Sequence, residues 1–202
     1  MPIQVFQDVA SFRRWRDSMG VGVSYVPTMG ALHAGHVALC HRAQQLAPIV
    51  VASVYVNPLQ FGPGEDFAQY PRTLDDDIRQ LDGAGVTAVL APPDLGEAKA
   101  EVKVLAGALS RELCGAGRPG HFDGVLTVLT KLFNIVRPVV AVFGEKDYQQ
   151  CAVVSQWCRE TFQPCILNIH SIVRDPNGLA MSSRNRRLSP GGLKMAALLN
   201  KA

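Results

Sequence analysis

Five short runs rich in β-branched and small apolar residues punctuate this chain: VGVSYV, IVVASVYV, VTAVLA, VVAVF and CILNIHSIV. The first four are each followed by a segment able to form a helix or a loop. Strands that alternate with such segments pair in parallel, because the crossover returns the chain to the same end of the sheet. The runs are nearly continuous in apolar character, as strands are when helices cover both faces of the sheet. The expected fold is therefore α/β, a doubly wound (Rossmann-like), mostly parallel sheet. The chain has 202 residues, 48% of them hydrophobic, enough to bury a substantial core. A boundary is expected at RDPNG, where Asp175-Pro176 and Asn177-Gly178 are turn formers. Residues 176–202 then supply a loop and one helix.

Charge narrows the function. Lys and Arg number 20 against 17 Asp and Glu, and apart from Arg184, Arg186 and Arg187 they are dispersed. A nucleic-acid binder should carry a basic stripe, so no nucleic-acid partner is expected. No apolar run approaches the ~20 residues of a membrane span, and MPIQVFQDVASFRRW lacks the apolar stretch of a signal peptide. A cytoplasmic protein with no membrane partner is expected. The five cysteines include no C-x-x-C pair, so reduced thiols are expected, with Cys151 and Cys158 buried on one helix face.

Three segments can carry chemistry. In PTMGALHAGHVALCHRA, His33 and His36 lie three apart where a strand passes into a helix. On a helix they share a face, beside the unpaired N–H groups of its first turn, an arrangement that suits an anion. Gly30 and Gly35 would let a phosphate approach the backbone. Two surface histidines near a cap account for the spacing equally well. A zinc site using Cys40 or His41 is weaker, since those two cannot both join the face of His36. FGEKDYQQ follows the strand VVAVF at the sheet edge where ligands bind, with Lys146 suited to a phosphate and Asp147 to a ribose hydroxyl. In MSSRN, two hydroxyls and Arg184 can wrap a polyphosphate. Each of the last two, alone, also reads as a solvated polar turn.

Other segments give weaker or negative signals. GAGRPG, residues 115–120, matches G-x-G-x-x-G but follows the expected helix LSREL rather than a strand, so a dinucleotide site is rejected. No P-loop pattern is present. NPLQFGPGEDFAQYPR, residues 57–72, reads as a long functional loop. Thr73 is expected to cap the next helix, with Asp75, Asp76 and Asp77 in the first turn, where the helix dipole favours negative charge.

Taken in order, VPTMGALHAGH, VYVNPLQFGPGEDFAQYPRTLDDD, LCGAGRPGHFDGV, VFGEKDYQQ and MSSRNRRLSP resemble the signatures of the pantoate:beta-alanine ligases, a family of the HIGH-type nucleotidyltransferase superfamily. The resemblance implies ATP-dependent condensation of pantoate with beta-alanine through a pantoyl adenylate, releasing pyrophosphate and AMP. It implies ATP as co-substrate, magnesium, and a homodimer. It places catalytic roles on His36, the proton donor, and on His33 and Lys146. ATP contacts fall on Met29, Gly30, Ala31, Leu32, His33, Ala34, Gly35 and His36, on Gly144, Glu145, Lys146 and Asp147, on Val173, and on Met181, Ser182, Ser183 and Arg184. Gln60, Gln150 and Asn57 match positions for pantoate and beta-alanine, and Asp76, Asp77 and Gln80 a magnesium-side cluster. It further implies an ATP- and pantoate-binding domain over residues 1–175, then a hinge and the beginning of a C-terminal lid over residues 176–202. The alternatives are a nucleotidyltransferase acting on a phosphorylated small molecule and a non-catalytic ATP-binding fragment.

Overall fold

The computed structural model describes residues 2–97 and 101–200. Its strands are β1 (Gln4–Phe6), β2 (Val23–Thr28), β3 (Ile49–Val54), β4 (Ala88–Leu90), β5 (Val140–Gly144) and β6 (Ile166–His170). They form one sheet in the order β1-β4-β3-β2-β5-β6, every pairing parallel. The helices are α1 (Val9–Ser18), α2 (Ala34–Gln44), α3 (Leu74–Gly83), α4 (Leu113–Gly117), α5 (His121–Val136), α6 (Tyr148–Glu160) and α7 (Pro190–Ala197). From β2 the chain winds outward through β3 and β4 in one direction, then restarts on the other side with β5 and β6. The order thus reverses between β2 and β5, and such a reversal opens a crevice at the carboxyl ends of the two strands.

The apolar runs divide residue by residue between two cores. Tyr25, Val51 and Phe143 face Phe12 of α1, Phe133 of α5 and Trp157 of α6. Val26, Ala52 and Val142 face Leu39 of α2 and Leu81 of α3. Neighbouring strand residues point to opposite faces, so a strand covered on both sides must be apolar throughout. Each fully buried large side chain contributes ~1.5–3 kcal/mol.

Several elements depart from the sequence reading. β1, absent from it, has three residues and pairs only with β4, too short to show a period. β6 is an edge strand covered incompletely, with Ile166 73% exposed. LSREL is not one helix: a 3-10 turn spans Ala108–Ser110, and α4 begins only after Arg111 and Glu112, at Leu113 with φ 48°. Gly115–Gly117 close α4 and the next three residues turn into α5, so GAGRPG joins two helices. The 57–72 loop includes a 3-10 turn at Pro58–Gln60. Thr73 precedes α3 without a side-chain cap bond; its hydroxyl donates to Asp77 instead, at 3.3 Å. Cys151 and Cys158 are both buried on α6, and all five cysteines are free.

Candidate active site

The crevice begins where β2 ends. The Thr28 hydroxyl donates to the Ser53 carbonyl at 2.6 Å and accepts from the Gly30 N–H at 3.2 Å. The backbone then turns through Gly30 at φ 81° and Ala31 at φ 51°, the second an unfavourable conformation for any residue with a Cβ. Asp77 holds it there. Buried in the first turn of α3, its carboxylate accepts from the Ala31 N–H at 3.0 Å and the Leu32 N–H at 2.8 Å. A Cβ on Gly30 would come within 2.8 Å of Asp77 Oδ2, so glycine is required here for the carboxylate's approach as well as for φ.

His33 is the N-cap of α2 rather than part of it, at φ −147° and ψ 173°. This corrects the expectation of two histidines on one helical face. The extended backbone swings the His33 ring over the helix end, where its Nδ1 accepts from the Gly35 N–H at 3.1 Å and it stacks on His36 with ring centroids 4.0 Å apart. The His33 proton therefore resides on Nε2. Gly35, which lines the cavity, also has a role beyond the one read in the sequence. A Cβ there would meet the His33 ring at 2.9 Å, so the missing side chain makes room for imidazole. His36 Nδ1 is buried and has no hydrogen-bond partner among the described residues. Burial first, then His33 and Lys146, pushes the His36 pKa down to about 3. Burial, with Lys146 and Arg186, brings His33 down to about 4. Both rings are uncharged at neutral pH.

Two further segments complete the rim. At the end of β5, Gly144, and just beyond it Lys146 and Asp147, face the cavity, with the Lys146 ammonium 3.0 Å from Asp147, and Gln150 follows in the first turn of α6. On the third side, Met181 donates its N–H to the Val173 carbonyl at 2.9 Å across the Asp175–Gly178 turn. Ser182 caps the 3-10 turn Ser183–Arg187 by accepting from the Arg184 N–H. Arg184 is not free: its Nε and an Nη donate to Asp66 at 3.1 and 3.0 Å, and Arg187 donates to the same carboxylate at 2.7 Å.

Met29, His33, Gly35, His36, Gly144, Lys146, Asp147, Val173, Met181, Ser182, Ser183 and Arg184 all line one cavity of about 230 Å³, together with Asn57, Gln60 and Gln150. Gly30, Ala31, Leu32, Ala34 and Glu145 do not line it. Leu32 is packed into the core with Leu39 and Val26, and Ala34 points to solvent. Asn57 is 1% exposed, and its amide is engaged by the Gly124 carbonyl, Gln60 Oε1 and the Leu59 N–H, so it orients Gln60. The sequence reading missed the cavity's apolar floor, Val125, Val128, Leu129 and Leu132 of α5 with Tyr55. One signal was available: FDGVLTVLTKLFNIV is apolar around more of its circumference than packing on one sheet face needs.

The carboxylates of the magnesium-side cluster have other partners in this structure. Both carboxylate oxygens of Asp77 serve the β2–α2 turn, and Asp76 is exposed and ion-paired with Arg79. Asp76 and Gln80 line a separate shallow cleft. Among the described residues no group of three His, Cys, Asp or Glu can cage a metal. Magnesium carried in on the phosphates of ATP would need no such cage, since it would keep several waters and neutralise phosphate charge.

Residues 4–202 match the family described as pantoate-beta-alanine ligase. The chain belongs to this family. A pantothenate synthetase from Acidithiobacillus ferrooxidans is 46% identical over 200 residues, covering 96% of this chain and 72% of that protein. The crystal structure of pantothenate synthetase from Thermus thermophilus superposes with a TM-score of 0.92 at 46% identity, over 98% of this chain and 72% of that one. The pantoate-beta-alanine ligase from Francisella tularensis, complexed with beta-gamma ATP and beta-alanine, gives 0.93 at 32% identity, over 99% and 78%. A pantoate-beta-alanine ligase must join an acid to an amine, and the cavity offers two sectors for that task. One is a polar rim with helix N-termini and cations, the other an apolar floor overhung by two glutamine amides.

Proposed function

We propose that this protein condenses pantoate with beta-alanine, driven by ATP, with the polar rim holding the triphosphate and the floor holding the acid. The carboxylate of pantoate attacks the α-phosphorus and the bond to pyrophosphate breaks. The amine of beta-alanine then attacks the acyl carbon, and AMP leaves with the carboxylate oxygen. The observation that carries this reading is the convergence of three distant segments, Met29–His36, Gly144–Asp147 and Met181–Arg184, on a single cavity at the sheet's reversal point.

His36, His33 and Lys146 act on charge that develops as pyrophosphate separates. A buried neutral His36 has a reason to be neutral only while the cavity holds no anion. Phosphate oxygens beside it favour the imidazolium and raise its pKa again, so ATP itself prepares the proton donor. The amides of Gln60 and Gln150 hydrogen-bond the oxygens of pantoate without adding charge that would repel ATP. Its branched carbon skeleton packs on Val125, Val128, Leu129 and Leu132.

The test is product dependence: AMP release should require ATP, pantoate and beta-alanine together, with one pantothenate per AMP. Transfer of a nucleotide to a phosphorylated acceptor without amine would refute the assignment. Replacing Gln60 or Gln150 with Ala should raise the KM for pantoate more than that for ATP.

The working form is a homodimer in the cytoplasm. Val102, Leu105 and Leu113, the last of these the first residue of α4, are between 74% and 81% exposed, and such exposed apolar side chains support a protein contact here. Light scattering giving twice the chain mass, lost on Leu105→Glu, would support it. No helix among the described residues is long and apolar enough to cross a membrane.

A further inference from the structure

The turn RPGH, part of the rejected glycine motif and its continuation, has no place on the cavity wall, yet its side chains converge on one atom that matters there. The main-chain carbonyl of Gln60 accepts from an Arg118 Nη at 3.1 Å and from His121 Nδ1 at 2.7 Å. Arg118 also donates to His121 Nε2 at 3.0 Å and through its Nε to Glu65 at 2.7 Å. The 3-10 turn carrying Gln60 is pressed on α5, where a Cβ on Gly124 would meet the Leu59 carbonyl at 2.1 Å. Asn57 meanwhile fixes the Gln60 side chain by donating to its Oε1 at 3.1 Å.

We propose that Arg118 and His121 are positioning residues for acid recognition: they clamp the Gln60 carbonyl and thereby set where the Gln60 amide meets pantoate. The proposal rests on the reading of Gln60 as an acid-binding residue. The geometry defines the form of His121 that works. A carbonyl can only accept, so Nδ1 carries the proton, and a guanidinium can only donate, so Nε2 carries a lone pair. A second proton would place N–H against N–H and a cation against Arg118, opening the clamp. Arg118 from its own turn opposes that protonation, while Glu65 on the facing loop and Asp147 at the start of α6 favour it. Burial is the largest influence and holds the pKa below the ordinary histidine value.

Three variants separate positioning from simple support of the fold. His121→Asn keeps an N–H close to the place of Nδ1 and removes the titrating ring. His121→Phe keeps the bulk and loses the donor, and Arg118→Lys keeps the charge and loses the fork. The readouts are KM for pantoate and for ATP, and kcat, from pH 5.5 to 8. His121→Phe and Arg118→Lys should raise KM for pantoate roughly 10-fold, the scale of one lost buried hydrogen bond, with KM for ATP within about 2-fold. His121→Asn should stay near the wild type at pH 8. The wild type should show KM for pantoate rising as pH falls through the His121 titration, and His121→Asn should lack that rise. Should His121→Phe not fold, Arg118→Lys and His121→Asn decide alone. Unchanged KM for pantoate, or equal loss toward ATP, overturns the clamp. Gln60→Ala is measured alongside: if it leaves KM for pantoate unchanged, the reading of Gln60 fails, whereas an effect there with none in the clamp variants removes only the clamp.

Discussion

Replacing Asp77 with Asn tests whether this carboxylate organises the histidine turn or serves a metal. In the folded protein its two oxygens accept from the Leu32 N–H at 2.8 Å and the Ala31 N–H at 3.0 Å, and the side chain is 1% exposed. Hydrogen bonds to a charged group contribute ~1.5–3 kcal/mol each. Asn can keep one of them at neutral strength, but its NH₂ must then face the second backbone N–H. A buried donor left without an acceptor costs a further ~1–3 kcal/mol. The expected loss is about 2.5–6 kcal/mol, which for a chain of this size lowers Tm by roughly 5–24 °C. Ala31 at φ 51° would also lose its anchor, so adenylate formation should fall with His33 displaced. The assay is urea unfolding followed by circular dichroism, together with pyrophosphate release titrated against magnesium. A variant as stable as the parent within about 0.5 kcal/mol, but needing more magnesium, would refute the argument.

Removing the charge partners of the phosphates should act on chemistry more than on binding. His36→Ala and Lys146→Ala are each expected to slow single-turnover pyrophosphate release roughly 100-fold or more, with ATP affinity changed less. Gly35→Ala, whose Cβ would meet the His33 ring at 2.9 Å, should slow adenylation roughly 10-fold while leaving the unfolding midpoint nearly unchanged. Asp66→Asn releases Arg184 and removes a negative charge near the phosphates, so ATP should bind a few-fold tighter, as read by calorimetry; weaker binding would mean that Asp66 shapes the loop rather than restrains the arginine. Because the folded pKa of His36 lies below its unfolded value, protonation favours the unfolded chain. Stability should therefore fall as pH drops below about 6.5, by up to about 1.4 kcal/mol per pH unit, and the slope should end near the folded value of about 3. His33 adds a smaller contribution, since solvent reaches it. His36→Phe should flatten this limb in pH-dependent unfolding.

The strands from β2 to β5 were legible because burial on both faces forces continuous apolar runs, and sequence composition records burial directly. β1 was not, since three residues at an edge carry no such record. Within the site, residue types announced the chemistry while the backbone decided who performs it. Asp77 looked like its neighbours Asp75 and Asp76, and only the positive φ of Ala31, invisible in sequence, gives it a separate task. Gly35 read as a phosphate approach because glycine before a helix usually serves the backbone; that its missing Cβ also makes room for the His33 ring could be seen only in the structure. The apolar floor was not singled out, because Val125 and Leu129 have the same composition whether they face a sheet or a cavity. The GAGRPG match failed as a motif, yet its Arg118 reaches the site through Gln60.

The charges around the cavity are arranged so that little of the positive charge is free before a nucleotide arrives. Arg184 is forked to Asp66, Lys146 is paired with Asp147, and both histidines are neutral. A rim of unpaired cations would hold any polyanion tightly, including the pyrophosphate that must leave. If the rim holds the triphosphate as proposed, ATP has to draw Lys146 and Arg184 away from their carboxylates and to charge His36 against burial. Each exchange subtracts from ground-state binding, because the ion pairs are broken as new ones form. The subtraction is already complete when the α-phosphorus is attacked. Charge that then shifts toward the leaving oxygens meets cations already in position, and stabilisation specific to that moment accelerates the step. On the same proposal, as pyrophosphate departs Asp66 and Asp147 would recover their partners and His36 would lose its proton, so the groups that restrained binding would help product release.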